Sequence, residues 1–147
     1  INIVAGCLKQ WFRELPDPLL TYQLYPAFIE ASKIENDFLR QVRLHEQVNN
    51  LPDANYATLR FLMAHLDRIR AHESINQMSA HNLAIVFGPT LLRSPHEAQM
   101  AGAGAAASHG GVGQMYFPDM SLQCKAIETI LLKYRDIFVE SDEDDLS

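Results

Sequence analysis

Apolar residues return every three or four positions through most of this chain, and no stretch alternates apolar with polar residues as a half-buried strand would. A chain with that single period buries its hydrophobic surface by packing helix on helix, so the fold class it implies is all-α. From Ile1 to Leu15 the residues Val4, Cys7, Leu8, Trp11, Phe12 and Leu15 trace one helical stripe, which Pro16 and Pro18 end. Thr21 is placed to cap a short helix through "YPAFIEAS". Asn36 or Asp37 can cap another that carries Phe38, Leu39, Val42 and Val48. Asp53 opens the clearest helix, with Tyr56, Leu59, Leu62, Met63, Leu66 and Ile69 as its buried stripe. Ser79 caps "AHNLAIVF", which is apolar on nearly every side and belongs at the centre of the domain; Gly88 and Pro89 are expected to terminate it. A final helix from Ser121 to Phe138 repeats the pattern through Leu122, Ala126, Ile130, Leu131, Tyr134 and Phe138.

The 147 residues suit one domain, placed at 1–139, and with 48% hydrophobic residues they can form a core without disulfides or metal. The net charge of -6 excludes a general nucleic-acid binder, and it is uneven. Glu140, Asp142, Glu143, Asp144 and Asp145 in the acidic tail 140–147 supply -5 of it, leaving a body near neutrality. Cys7 and Cys124 lie among helical apolar residues with no metal-ligand spacing, which suggests reduced core thiols in a cytoplasmic protein. No apolar run approaches the ~20 residues of a membrane span, so no direct membrane insertion is expected. Residues 101–114, "AGAGAAASHGGVGQ", hold five of the seven glycines and no charged residue, the composition of a flexible insertion in a surface loop. Because the sequence opens at Ile1 already in helical register, it is expected to be part of a larger protein.

No glycine-rich phosphate loop follows a strand, no histidine pair has metal spacing and no Gly-x-Ser-x-Gly elbow occurs, so a self-contained enzyme is not indicated. The six histidines, His45, His65, His72, His81, His96 and His109, are scattered. Three polar residues stand out instead. Lys9 and Arg13 lie one turn apart in a column with Asn2 and Gly6, opposite the apolar stripe. Like charges at that spacing cost about 0.2–0.5 kcal/mol, so a structural or functional compensation is required. Arg13, in the last turn, can bond free carbonyls at the negative end of the helix; Lys9 sits too early to share that fully and reads from the helix alone as a solvated charge. Gly6 costs about 1 kcal/mol relative to Ala and leaves room for close approach of another backbone. Asn82, the main polar side chain within "HNLAIVFGP", either ties neighbouring backbone together or faces a partner.

Taken together, "LKQWFRELPDPLLTYQLYPAF", "LPDANYATLRFLMAHLDRI" and "INQMSAHNLAIVFGPTLLR", in that order, resemble the GTPase-activating (RhoGAP) domain of Rho-family small GTPases. The resemblance runs from Ile1 to Arg93 and resumes weakly in the last helix. It implies a RhoGAP-like helical domain, incomplete at its N-terminus, whose shallow groove binds the switch regions and phosphate loop of a GTP-bound Rho-family GTPase. The implied role is GTPase activation in small-GTPase signalling and cytoskeleton regulation, as an enzyme regulator with no cofactor and no metal. Carried over from the family, Lys9 and Arg13 lie at the partner-facing groove, Lys9 bridging the loop of the catalytic arginine and the GTPase, Arg13 mainly holding that loop. Asn82 reaches the GTPase surface.

The family's catalytic arginine belongs to a Gly-x-x-Arg-x-Ser-Gly loop upstream of the Lys/Arg helix, and this sequence opens at that helix. None of Arg13, Arg40, Arg43, Arg60, Arg68, Arg70, Arg93 or Arg135 stands in such a motif, so no catalytic residue is assigned within the chain. Two alternatives from other classes are a catalytically inactive helical module that binds a GTPase or another protein, and a plain helical scaffold.

Overall fold

The computed structural model describes residues 2–95 and 119–138. The proposed insertion at 101–114 and the acidic tail at 140–147 lie outside these described residues. All regular structure among them is helical: α1 (Asn2–Glu14), α2 (Tyr25–Ser32), α3 (Asp37–Asn49), α4 (Asp53–Arg70), the single turn α5 (Glu73–Asn76), α6 (Ala80–Leu91), α7 (Met120–Leu132) and the single turn α8 (Tyr134–Ile137). The all-α expectation holds.

The core forms where α7 is surrounded. Helices α2, α3, α4 and α6 pack around it, and α6 in turn touches α1 and α4. Phe28, Leu44, Leu59, Met63, Leu66, Leu91, Ile127, Ile130 and Leu131 are almost completely shielded from solvent. Burying a large aliphatic or aromatic side chain contributes about 1.5–3 kcal/mol, so this cluster is the main source of stability. On α4 the stripe read from sequence is the buried one, with Tyr56 and Ile69 at its partly covered ends. Phe138 lies against both Tyr56 and Tyr134 in tilted ring contacts, with centroids 5.3 and 5.5 Å away, and fastens the end of α8 to α4.

Two caps are as the sequence indicated: Asn36 accepts from the Leu39 amide at 3.0 Å and Ser79 from the Asn82 amide at 3.1 Å. Others differ. Asp53 is the first helical residue of α4, not its cap, and Pro52 precedes it. Thr21 caps earlier than expected, in the turn before α2, where its hydroxyl accepts from the Leu24 amide at 3.2 Å. It does so at φ 66°, a left-handed conformation unusual for a β-branched residue. The last helix is interrupted at Lys133, which separates α7 from α8.

Helix α3 turns a different face inward from the one its apolar residues suggested. Phe38 and Leu39 are 68% and 53% exposed and Val42 is also exposed, whereas Arg40, Leu44 and Val48, spaced four apart, are buried. Arg40 can occupy the core because its donors are satisfied. Its Nε donates to the Thr129 hydroxyl at 3.1 Å, its Nη1 to the Ile34 and Glu35 carbonyls at 2.8 and 3.2 Å, and its Nη2 pairs with Asp37. Cys7 is exposed, against the expectation of a core thiol. Cys124 is buried, and burial, then the nearby Glu128 charge, pushes its thiol pKa up, which keeps it unreactive.

Gly88 and Pro89 do not end α6, which continues to Leu91 with Pro89 inside it. Proline removes only its own N–H, and the carbonyls at the end of the helix are met by neighbouring segments. The Leu20 amide donates to the Leu91 carbonyl at 3.1 Å, and Gln123 Nε2 donates to the Leu92 carbonyl at 2.8 Å. Gly88 serves close packing instead of termination. A Cβ there would lie 3.0 Å from Cys124 Cα and 3.2 Å from Cys124 N, both backbone atoms of α7 that cannot swing aside. Gly88→Ala should therefore destabilise the fold by about 1–3 kcal/mol despite alanine's better helix propensity, a loss readable as a lower denaturant midpoint at unchanged m-value.

Candidate functional site

The bend of the chain at Pro16–Pro18 returns the end of α1 to the end of α6, and the Leu20–Leu91 backbone bond fixes that return. Between the two helices lies an open groove of about 220 Å³, lined by Lys9 and Arg13 from α1, Ile85, Val86, Pro89 and Thr90 from α6, Arg93 just beyond it, and Met120 at the start of α7. That volume falls below the ~300–1,000 Å³ of a typical small-molecule pocket, so the groove suits side chains of a docking protein better than a cofactor. Among the described residues no cluster of three or more His, Cys, Asp or Glu could hold a metal, and no helix is long and apolar enough to cross a membrane.

Lys9 and Arg13 are thus brought together on one wall. Arg13 is exposed and Lys9 partly so, and neither has a hydrogen-bond or ion-pair partner among the described residues. Two carbonyls near the end of α1 accept from another residue: Arg93 Nη2 donates to the Leu15 carbonyl at 2.8 Å and to the Phe12 carbonyl at 3.4 Å. Glu14, the carboxylate beside Arg13, accepts from Gln10 at 2.9 Å. Among the described residues the internal compensation that the sequence allowed for Arg13 is absent.

Asn82 does not line this groove. It lies on α6 one turn before Ile85 and Val86, on the column that continues through Val86 to Pro89. Its side chain is exposed, so it is not a core amide, and its Nδ2 donates to the Gln77 carbonyl at 3.1 Å. Gln77 itself adopts φ 60° after α5. The amide therefore both steadies the α5–α6 turn and leaves its oxygen toward solvent at the end of the same face. Gly6 adds an open place at the other end of the cation column, since a Cβ there would meet nothing within 4 Å.

The sequence did not identify Ile85, Pro89, Thr90, Arg93 or Met120 as lining residues. Their signal was the apolarity of α6 on nearly every side. That pattern was read as complete burial, but Ile85 is 43% exposed and faces the groove. Among the described residues the histidines form no cluster that could hold a metal: His65, His72 and His81 are exposed, and His81 Nδ1 lies 3.2 Å from Glu128.

Comparison with known proteins agrees with this geometry. The RhoGAP domain family model matches residues 1–96. N-chimaerin of Rattus norvegicus is 55% identical over 101 residues, 69% of this chain and 30% of that protein. The GTPase-activating protein pac-1 of Caenorhabditis elegans is 40% identical over 131 residues, 89% of this chain and 7% of that protein. The chain thus spans less than a third of the length of either relative. Among solved structures, the BH domain from GRAF, the GTPase regulator associated with focal adhesion kinase, superposes with TM-score 0.72 at 35% identity, covering 89% of this chain and 62% of that one. Human Rho GTPase activating protein 15 gives TM-score 0.71 at 37% identity, covering 90% and 56%. A family match over most of the described residues and two close superpositions of an all-helical fold converge: this chain belongs to the RhoGAP domain family.

Proposed function

We propose that these residues form the partner-facing part of a GTPase-activating domain, with Lys9 and Arg13 in the groove and Asn82 at its end contacting a GTP-bound Rho-family GTPase. The observation that carries this reading is the pair of cations held one turn apart, at a cost of about 0.2–0.5 kcal/mol, against an apolar wall and with no partner among the described residues. A partner's carbonyls and carboxylates would relieve that repulsion. The same reading gives the protein a cytoplasmic location, where Rho-family GTPases signal.

We further infer that the catalytic arginine is supplied from outside these 147 residues. Several of the arginines here are committed elsewhere: Arg40 is buried and fully bonded, Arg43 pairs with Glu46, Arg70 pairs with Asp67, and Arg93 holds the end of α1. Stimulated GTP hydrolysis depends on neutralising charge that develops on the transferring phosphoryl group, and an arginine finger contributes about 10³–10⁵ in rate. Lys9 cannot replace it, because an ammonium is a point charge without the planar fork of guanidinium. The chain alone should bind without appreciable stimulation. Adding the native upstream segment should raise the partner's hydrolysis by orders of magnitude, and adding it with its loop arginine changed to Ala should restore binding with little rate. Single-turnover phosphate release measures both, and robust stimulation by residues 1–147 alone would return the search to Arg13. Binding with no stimulation even when the upstream segment is present would favour an inactive GTPase-binding module.

The platform residues separate by what else they do. Lys9→Ala in the protein carrying the upstream segment should lose both affinity and rate, with stability nearly unchanged, because the side chain has no partner to lose among the described residues. Asn82→Ala gives up one exposed bond to Gln77, so it should cost less than about 1 kcal/mol in a denaturant melt. Its larger effect should be on association, read in a titration against the GTP-loaded partner. A large stability loss with normal binding by the folded fraction would make Asn82 a structural amide.

A further inference from the structure

Arg93 is the third cation of the groove and the one whose charge is turned inward. It follows the end of α6 by two residues, and its Nη2 reaches back to the Leu15 and Phe12 carbonyls at 2.8 and 3.4 Å. Its guanidinium lies over the Tyr22 ring with Cζ 5.8 Å from the centroid, while its Nε is buried without a partner. The side chain thus joins three elements: the last turn of α1, the segment after it and the end of α6. A helix of this length presents free carbonyls and a partial negative charge at its C-terminus, and a cation in its own last turn would ordinarily answer them. Here that cation would be Arg13, yet the carbonyls are held by Arg93.

We propose that Arg93 is a positioning residue for the partner-binding groove: by capping the carbonyl end of α1 from the opposite wall, it sets the α1–α6 separation and leaves Arg13 and Lys9 uncommitted. The inference rests on the function proposed above and adds to it a residue that acts through the other two. Without Arg93, the cation left to answer those carbonyls is Arg13 in the same last turn, whose guanidinium would be drawn toward them and away from the groove. The last turn of α1 would also lose its tie to α6. Both carbonyl bonds use one nitrogen, so a lysine ammonium, which has three donors, can reproduce them, whereas an apolar side chain of similar length cannot.

The test uses the full-length protein and a Rho-family GTPase loaded with a non-hydrolysable GTP analogue, with titrations read beside denaturant unfolding so that affinity refers to folded protein. Arg93→Met should weaken binding about tenfold, and Arg93→Lys should recover most of it. On an Arg13→Ala background the same Arg93→Met change should cost less than about threefold, because the residue through which it acts has gone. Normal binding by Arg93→Met, or a tenfold loss that persists unchanged on the Arg13→Ala background, overturns the proposal. If Arg93→Met does not fold, Arg93→Gln, which keeps a donor and loses the charge, is read in the same cycle and should weaken binding more than Arg93→Lys but less than about tenfold. The wild-type arm separates the two levels of inference. A wild-type protein that fails to bind the loaded GTPase removes the proposed function and this role with it, whereas binding that needs Lys9 and Arg13 but ignores Arg93 removes this role alone.

Discussion

The architecture depends on how closely α6 lies against α7. Gly88 makes that distance possible, since any side chain there would press on the Cys124 backbone. The consequence reaches beyond packing density. With one face of α6 drawn onto α7, its Ile85–Pro89 face is left toward α1, and the carbonyls at its end are met by Leu20 and by Gln123. Pro89 then sits in the wall of a groove instead of at the end of a helix. A feature that local rules assign to termination has been used to shape a surface.

Arginine shows how backbone carbonyls decide what a cation does. Arg40 is buried because the chain between α2 and α3 offers it two carbonyls and α7 offers a hydroxyl, so that the cost of desolvating the guanidinium is offset bond by bond. Arg93 finds its carbonyls at the end of α1. Arg13 lies beside the same helix end but bonds none of its carbonyls among the described residues, and Lys9 lies a turn earlier. The residue types alone do not distinguish these cases. What separates them is whether a helix end or a turn aims unpaired oxygen at the side chain, and that is a property of the assembled fold.

This explains which parts were legible in the sequence. Helix α4 was, because its apolar residues hold one period over many turns and the core simply accepts them; the caps Asn36 and Ser79 were, because an N-cap is decided within four residues. Helix α3 was misread because Phe38, Leu39 and Val42 outweigh Leu44 in hydrophobicity, while its inward face is set by an arginine whose partners lie as far away as Thr129. Cys7 and Trp11 follow the apolar stripe of α1 but stay exposed, Trp11 touching its neighbour Phe12 edge-on at 5.0 Å. Of the site, Lys9 and Arg13 were visible as a like-charged pair and Asn82 as a polar residue among apolar ones. Arg93 was not, because its meaning is a contact across 78 residues of sequence to Leu15.

The charge distribution also bears on how such a groove would work. The body outside the acidic tail is nearly neutral, so the local positive potential from Lys9, Arg13 and Arg93 is not set against a strong opposing net charge. Exposed charges act over about 8–10 Å at physiological salt, which reaches a partner surface during encounter but not the far side of the domain. The apolar residues between the cations, Ile85, Val86 and Met120, then supply what charge cannot, a surface whose burial does not weaken with salt. On the proposed reading, cations at the wall would steer a partner and the apolar side chains between them would hold it. A shallow groove can therefore hold a protein partner specifically without being deep enough to enclose a small molecule.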